Sequence, residues 1–506
     1  MRFPFLAASL LSSSLVVGCV GDPAVIGPPP KDGSVPDQQA ADGGLGDAGD
    51  GAVSDPTWTL PLLKGVSLGP IAVDSSGDVY VGGSIADAFT LDAINIPTTQ
   101  KNDGIVLKLD GKTKKAVWAK VIAGSGIDGI TSMQFQSGAL YIVGITDSPF
   151  LAFSKTAMAI PAAMPVATRS FIAKLDATDG AEIFTYSPDA SRIANTTFSS
   201  FCSSLSVVVK RVAVGCTYSG ANFNSSAPVP ANQSSALAVM AYDDKLGLGF
   251  TWQRYLAGSG VLVPIVAVDT SGDVVLGATL RGTQPLVDLV DSSAVLPAQT
   301  TQGNPFVLRL DGTTGAVQNS KIWSADAASG LGAVPTTFRD VSLSGNQLLV
   351  SGQFYGTANF TPKVTSAGGF DGFAMSLDAT TLKQNWLAIF PGPQQEFAAS
   401  IAASTSGAYV ALDYSSPKFT FGKTSMPDAP NPSFVGAIGA VDAKGAPIQA
   451  IFATSVNNAT YVKVIVDAKN LYAVGQFQGA TTFDDGTMAT GSLTESNAVV
   501  IRRPRF

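Results

Sequence analysis

Apolar and polar residues alternate along most of this chain in short stretches that are separated by turns rich in glycine and aspartate. In the segment 71–83, apolar residues flank the turn Asp-Ser-Ser-Gly-Asp, and a second apolar stretch at 105–109 ends in Asp110. Apolar–polar alternation over about four to eight residues, bounded by turn residues, indicates β-strands. Because no stretch has a convincing helical period, the pattern predicts an all-β protein.

This pair of segments recurs to the end of the chain. An apolar stretch that closes on aspartate returns every 64–68 residues, at Asp110, Asp176, Asp243, Asp311, Asp378 and Asp442. A hairpin that ends in an apolar residue and usually glycine recurs at Val81-Gly82, Val143-Gly144, Val214-Gly215, Leu276-Gly277, Ser351-Gly352, Val410-Ala411 and Val474-Gly475. Self-similarity at a fixed period is the signature of a repeat architecture. Each copy reads as four strands.

The tryptophans predict how the repeat closes. The fourth strands carry Trp118, Trp252, Trp323 and Trp386, with Phe184 and Phe452 in the other two copies. Trp58 precedes the first copy, whereas the last copy stops after its third strand at 497–506. We therefore predict that the Trp58 segment supplies the missing strand, which gives seven four-stranded blades and leaves no exposed β-edge.

The repeat resembles the bacterial β-propeller repeat (SBBP-like) of secreted and surface proteins, on the pattern of 71–83, the apolar stretch before Asp110, and Trp118. The resemblance implies a seven-bladed β-propeller over residues 56–506. It implies no activity, because framework residues define the family. An open β-solenoid is the alternative fold, and it would leave the position of Trp58 unexplained.

The N-terminus has the features of an export signal. Residues 3–17 are mostly apolar but too few for a membrane span of about 20 residues. The run ends Val16-Val17-Gly18-Cys19, which resembles a bacterial lipoprotein signal and implies removal of 1–18 and attachment of lipid, palmitate included, to Cys19. By the rule for enteric bacteria, Val20 after the cysteine favours the outer membrane. The alternative is an ordinary secretory signal with an incidental cysteine.

Residues 19–55 contain three consecutive prolines, many Gly and Asp residues, and few large apolar side chains. Such a composition cannot bury enough apolar surface to fold. We expect a disordered, flexible tether between the lipidated Cys19 and the propeller.

The other two cysteines, Cys202 and Cys216, flank a hairpin whose turn lies near Val209. Symmetry about that turn places the two thiols opposite each other on adjacent strands. An exported protein also resides where disulfides persist. We expect a disulfide between them, the alternative being two buried free thiols.

Composition excludes several classes of function. The net charge is −7 and no basic stripe is present, so nucleic acid is not an expected partner. The chain has no histidine, which removes Ser-His-Asp and Cys-His catalysis and His-ligated metals. Only three of the 38 acidic residues are glutamates, and aspartate favours turns. Most of the negative charge is therefore expected in turns.

The candidate sites have structural alternatives. Two turns, Asp74-Ser-Ser-Gly-Asp78 and Asp269-Thr-Ser-Gly-Asp273, could ligate calcium or could be ordinary hairpin turns, which we favour because calcium needs about six or more oxygen ligands. Glu182 and Glu396 suggest a glycosidase pair, but nothing in the sequence places them together. The long connections between second and third strands hold Phe223, Phe360 and Phe483, which we expect to pack in an extra strand or corner, the alternative being ligand-binding aromatic residues.

Two hypotheses of function follow. The first is a surface-tethered, non-enzymatic lipoprotein of the cell envelope that acts through its propeller loops on an envelope protein or an extracellular polymer. The second is an extracellular enzyme that uses carboxylates on polysaccharide; a quinone-dependent dehydrogenase is a distant third. No catalytic, cofactor-binding or metal-ligating residue is assigned from the sequence, and no cofactor is expected.

Overall fold

The computed structural model describes most of the chain from residue 56 onward. The described residues are 56–63, 65–98, 102–148, 150–152, 157–159, 168–186, 199–209, 211–219, 236–243, 250–258, 260–289, 292–299, 303–326, 336–430, 433–495 and 497–506. Every regular element within these ranges is a β-strand, which confirms the predicted all-β class. The same ranges hold no helix of the length and apolarity needed to cross a membrane.

Seven antiparallel sheets, each with an inner, a second, a third and an outer strand, follow one another along the chain. Blade 1 consists of Val66–Val73, Val79–Ile85, Asp103–Leu109 and Ala116–Ile122. Blade 2 consists of Asp128–Gln136, Ala139–Thr146, Arg169–Asp176 and Glu182–Tyr186. Blade 3 consists of Ser199–Val208, Arg211–Ser219, Ala236–Asp243 and Phe250–Ala257.

The later blades repeat this arrangement. Blade 4 consists of Val261–Val268, Val274–Leu280, Asn304–Leu310 and Val317–Ile322. Blade 5 consists of Thr336–Ser344, Gln347–Phe354, Asp371–Asp378 and Gln384–Phe390. Blade 6 consists of Glu396–Ser404, Gly407–Tyr414, Val435–Asp442 and Pro447–Ser455. Blade 7 consists of Ala459–Val466, Asn470–Phe477, Asn497–Pro504 and the N-terminal strand Trp58–Leu62.

The N-terminal strand closes the ring. Trp58–Leu62 pairs antiparallel with Asn497–Pro504, and Trp58 lies opposite Arg502. The inner strands of successive blades contact one another around the whole ring, including those of blades 7 and 1. The seven-bladed β-propeller and its closure by an N-terminal strand are therefore confirmed, and the open solenoid is wrong.

The hydrophobic core lies between neighbouring blades instead of at one centre. Between blades 1 and 2, for example, Tyr80 and Trp118 pack with Leu140 and Phe171. A third strand such as Asp103–Leu109 is buried along its entire length, because another blade covers each of its faces. This double burial explains why the central strands are apolar throughout and lack clear alternation.

Outer-strand tryptophans join one blade to the next. The Nε1–H groups of Trp58, Trp118 and Trp252 donate to main-chain carbonyl oxygens of the following blade at 2.9, 3.3 and 2.9 Å; the acceptors are Gly111, Ala177 and Gly312. Each acceptor directly follows the last aspartate of a third-strand repeat. Trp58 therefore repeats the contact of an internal outer strand.

Two of the predicted outer-strand aromatic residues are in a different register. Trp323 lies directly after the outer strand of blade 4, where Asn319 holds the expected position opposite Arg309. Phe452 pairs with Ala437, three residues beyond the equivalent position. Trp323 instead packs edge-on against Phe338 of blade 5, with ring centroids 5.5 Å apart. Residue type alone did not fix this register.

All seven inner strands contain a β-bulge near their middle. Beside the bulge of blade 1, a Cβ on Gly83 would lie 1.9 Å from the carbonyl oxygen of Ser67, so only glycine fits there. In blade 3, Cys216 holds this position and pairs with Cys202. The expected disulfide Cys202–Cys216 is present.

The two Asp-x-Ser-Gly-Asp turns are held by a basic side chain. Asp269 accepts hydrogen bonds from the backbone N–H groups of Ser271 and Asp273 at 2.9 and 3.0 Å. Arg309 Nη2 then lies 2.6 Å from Asp269 and 2.8 Å from Asp273. Lys108 takes the same place beside Asp74 and Asp78 in blade 1, at 3.8 and 3.1 Å. In the calcium interpretation, a bound ion would supply the positive charge between these aspartates. In the structure, a lysine or arginine of the third strand supplies it.

The described long connections between second and third strands form small hairpins. They are Phe89–Leu91 with Ile94–Ile96, Phe150–Ala152 with Ala157–Ala159, Leu286–Asp288 with Ala294–Leu296, Thr357–Ala358 with Val364–Thr365, Thr420–Phe421 with Thr424–Ser425, and Ala480–Thr482 with Met488–Thr490. Several pair with the chain at the end of the preceding outer strand, as Asp288 does with Leu256. Phe360 and Phe483 are buried as expected, whereas Phe223 lies outside the described residues.

Strand direction defines two faces of the propeller. One face carries the long connections, and we call it the long-loop face. Inner and third strands begin on this face. Second and outer strands end on it. The opposite face carries the tight turns and is called the short-turn face. The outer strand that begins at Trp58 starts beside Arg502, near the end of a third strand, and so starts on the short-turn face. Cys19 and the segment 19–55 lie outside the described residues.

Candidate functional site

A buried ion pair lies among the inner strands of blades 5, 6 and 7. Lys463 Nζ lies 2.7 Å from Asp340 Oδ2, and the two side chains are 1% and 0% exposed. The same carboxylate oxygen accepts hydrogen bonds from Ser400 Oγ at 2.6 Å and from the Ile401 N–H at 2.9 Å. These contacts join the inner strands of three blades, and the ion pair itself is closed to solvent.

Four aromatic side chains form a continuous row on the long-loop face of blades 5 and 6. The aromatic row consists of Tyr355, Phe370, Phe397 and Phe434, and successive ring centroids are 5.7, 6.1 and 5.4 Å apart. Each of the four residues is partly exposed. Topology brings them together, because each lies at a strand end on this face.

Arg339 lies beside Phe397, the third ring of the row. It is the bulge residue of the inner strand of blade 5, and its guanidinium carbon lies 6.0 Å from the ring centroid of Phe397. Its Nε and Nη2 both donate to Gln353 Oε1, at 3.1 and 3.0 Å. A bulge turns a side chain out of the regular pattern of a strand, which accounts for the position of this arginine.

The acidic residue whose charge acts on Arg339 is Asp413, which lies opposite Phe397 in the adjacent strand. Burial raises the pKa of Asp413 to about 8, although a hydrogen bond from the Tyr461 N–H and the charge of Arg339 act in the opposite direction. Burial therefore favours the neutral form of Asp413. Burial also lowers the pKa of Arg339, and no described carboxylate forms an ion pair with this arginine beside the aromatic row.

Two further carboxyl groups lie beneath the row. Asp371 begins the third strand of blade 5, Glu396 begins the inner strand of blade 6, and both are 0% exposed. Burial raises the pKa of Glu396 to about 7; nearby Ser416 opposes the rise and the charge of Asp371 adds to it. Neither Glu396 oxygen makes a hydrogen bond of ordinary geometry. Burial also raises the pKa of Asp371.

The junction of blades 1 and 2 contains an equivalent pair, Asp103 and Asp128. Here Ser148 Oγ donates to both carboxylate oxygens of Asp128, at 3.0 and 3.1 Å. Burial raises the pKa of Asp128 to about 6, against the hydrogen bonds from Thr146 and Ser148. The two pairs thus differ: Asp128 accepts hydrogen bonds from Ser148, whereas Glu396 accepts none of ordinary geometry.

The structure does not bring the two sequence-flagged glutamates together. Glu182 begins the outer strand of blade 2, whereas Glu396 begins the inner strand of blade 6. They therefore do not form the carboxylate pair of a glycosidase. Across the described ranges, no group of three or more His, Cys, Asp or Glu residues is placed to hold a metal ion.

Sequence reasoning missed the aromatic row and Arg339. The four aromatic residues lie at irregular separations on four different strand ends, so no local period marks them. The one available signal was the pair of adjacent charged residues Arg339 and Asp340 within the inner strand Thr336–Ser344.

Comparisons with known proteins found likenesses among solved structures only. No family model and no curated protein matches the chain. Among solved structures, BamB from Moraxella catarrhalis is 11% identical, with 86% of this chain and 85% of that chain covered and a TM-score of 0.27. A quinohemoprotein alcohol dehydrogenase from Comamonas testosteroni is 10% identical (88% and 76% covered, TM-score 0.35), as is the Dos1 propeller (88% and 94%, 0.35).

The fold and the site define a class of protein: a seven-bladed β-propeller with a partly exposed aromatic row and an arginine on its long-loop face. The similar structures include a dehydrogenase, and one fold carries many functions. At this identity and these TM-scores the likenesses carry no argument about activity. The function has to be argued from the side chains.

Proposed function

We propose that this chain is a lipid-anchored, non-enzymatic envelope propeller that binds a partner, an envelope protein or an extracellular polymer, through its long-loop face. The observation that carries the proposal is the aromatic row of Tyr355, Phe370, Phe397 and Phe434. Aromatic side chains dominate the energetics of binding surfaces, and a contiguous exposed patch marks a site of interaction. The long connections mostly fold as hairpins, and the row is a run of four mutually contacting, partly exposed aromatic rings on this face.

The position of the N-terminal strand supports this choice of face. The chain enters the propeller at Trp58 on the short-turn face. In the proposal, Cys19 carries the lipid and residues 19–55 form a tether. The average end-to-end distance of a flexible chain of this length is about 30–35 Å. An anchor that joins the short-turn face leaves the long-loop face free to meet a partner away from the membrane.

The burial of the acidic residues argues against an enzyme. Glycosidases place two carboxyl groups on either side of the scissile bond, within reach of the substrate. Asp371 and Glu396 are 0% exposed and lie under the aromatic row, which leaves Asp413 as the one carboxyl group of this cluster that is partly exposed.

A carboxylate-dependent enzyme acting on polysaccharide is the second candidate. The observation in its favour is that Asp371, Glu396 and Asp413 cluster on one face and all have raised pKa values. Movement of the row would have to expose Glu396 before it could act on a substrate.

Crosslinking of the tagged, lipidated protein in its own envelope, followed by mass spectrometry, tests the proposal. We expect crosslinks to one partner near the aromatic row. The double variant Tyr355→Ser, Phe434→Ser should reduce capture at least tenfold, whereas the control Tyr186→Ser in an outer strand should not. Capture that is unchanged by the double variant would refute binding at this face. Glycan hydrolysis that is lost in Glu396→Gln would favour the enzyme.

The anchor has its own test. Cys19→Ala should release the protein from the membrane fraction while it keeps its fold and its partner binding in solution. If the variant still sediments with membranes, the lipid anchor is wrong and the binding proposal is unaffected.

A further inference from the structure

We infer that the aromatic row binds an apolar polypeptide segment of a protein partner and that Arg339 pairs with a carboxylate of that segment. The inference rests on the proposed function, because it specifies the occupant of the same face. Three observations carry it: the charge of Arg339 beside Phe397, the exposed aliphatic residues at the junction of blades 6 and 7 beyond Phe434, and the length of the row.

The arginine beside the row calls for an anion. Arg339 makes no ion pair with any described residue; its two hydrogen bonds go to the neutral Gln353, and its guanidinium lies beside the Phe397 ring. Burial raises the pKa of Asp413, the acid whose charge acts on Arg339, and so favours the neutral form of that acid. A guanidinium beside an aromatic ring in a sheltered position binds a carboxylate strongly, since it offers two parallel donors. A partner that supplies the carboxylate therefore completes the electrostatics of the site.

The residues beyond Phe434, the last ring of the row, favour a polypeptide over a glycan. Asn458 Oδ1 accepts a hydrogen bond from the Phe434 N–H at 2.9 Å, so the row leads to the junction of blades 6 and 7. There Val456 and Leu493 are 62% and 60% exposed, and both lie against Gly479. Aliphatic side chains provide no ring face for a sugar, but they bury well against apolar side chains of a protein.

The length of the row sets the size of the segment. Ring spacings of 5.4–6.1 Å over three steps match the reach of about five residues of extended chain at roughly 3.3 Å per residue. A short segment can therefore contact the aromatic row and Arg339 together.

The probe is a random library of seven-residue peptides, displayed on phage and selected on the immobilised full chain. We expect the enriched peptides to combine apolar residues with Asp or Glu. Measured by fluorescence anisotropy, their affinity should fall at least tenfold in Arg339→Gln and less in Arg339→Lys. The matched control is Arg281→Gln, an exposed arginine that follows a second strand on the same face of blade 4, and it should leave the affinity unchanged.

Three results would overturn the inference: no enrichment above an unrelated bait, enriched peptides without acidic residues, or an affinity that is equal in Arg339→Gln and wild type. Binding of the acidic polysaccharide polygalacturonate in place of peptides, lost in Arg339→Gln, would also overturn it in favour of a glycan. A thermal melt of each variant confirms that it is folded. If crosslinking at the row persists while peptides fail, the proposed function stands and the inference is wrong.

Discussion

Lys463 of blade 7 and Asp340 of blade 5 form a 2.7 Å ion pair that bridges the inner strand of blade 6, and both side chains are buried. The two residues are 123 positions apart in the chain. Because Ser400 of blade 6 also donates to Asp340, one carboxylate connects three blades.

Removal of Lys463 should destabilise the propeller strongly. Lys463→Met leaves the Asp340 carboxylate buried without a cation, and loss of one partner of such a pair costs about 3–5 kcal/mol. We expect this decrease in the free energy of unfolding by urea denaturation. The double variant Lys463→Met, Asp340→Asn should recover most of it, because asparagine still accepts hydrogen bonds without charge. The exposed Lys112→Met serves as the control, and equal losses in the single and double variants would contradict the explanation.

Trp58 should contribute to ring closure through packing and through its hydrogen bond to Gly111. Trp58→Ala removes a side chain that is 5% exposed, which costs about 3–5 kcal/mol for a buried tryptophan. Trp58→Phe keeps an aromatic ring at this position but loses the hydrogen bond to Gly111, whose loss costs about 1 kcal/mol.

Trp386→Phe is the matched control, since the Nε1–H of Trp386 has no hydrogen-bond partner in the described part of the chain. It should cost less than Trp58→Phe in the same thermal unfolding experiment. A larger loss in Trp386→Phe would show that the hydrogen bond at Trp58 is not the relevant difference.

Glu396 should make stability fall as pH rises. Its pKa is raised from 4.5 to about 7 in the folded chain, so the folded state holds a proton that the unfolded state releases between these pH values. The free energy of unfolding therefore decreases through this window, by up to about 1.4 kcal/mol per pH unit. Glu396→Gln carries no charge and should be more stable than wild type at pH 8.

Urea denaturation at pH 5, 6.5 and 8 measures this effect. Asp128→Asn is the matched control in the equivalent acidic pair. The pKa of Asp128 is about 6, so the pH range in which this group changes stability ends at a lower pH than the range of Glu396. It should leave the slope between pH 6.5 and 8 unchanged. Parallel pH profiles for Glu396→Gln and wild type would contradict the role of Glu396.

Arg309 should stabilise its turn in place of a calcium ion. Arg309→Met leaves Asp269 and Asp273 side by side without a positive charge, and loss of hydrogen bonds to charged groups costs roughly 1–3 kcal/mol. Millimolar calcium should leave the melting temperature of the wild type unchanged. The exposed Arg281→Met should stay within about 0.5 kcal/mol of wild type. A calcium-dependent rise in the wild-type melting temperature would restore the calcium interpretation.

The sequence by itself determined the architecture. Turn residues and apolar strands recur at a fixed period, and the placement of Trp58 before the first copy indicated how the ring closes. These features are local or periodic, so a single chain displays them directly. The symmetry of the hairpin around Val209 indicated in the same way that Cys202 and Cys216 face each other.

Only the tertiary structure decided the register of Trp323 and Phe452 and the composition of the candidate site. Strand pairing and packing against the next blade set the register, and neither is encoded by residue type alone. The aromatic row combines residues from separate strand ends that become neighbours only when blades 5 and 6 stack. The charge of Arg339 likewise became significant only because folding places it beside the aromatic row and beside Asp413, whose pKa burial raises.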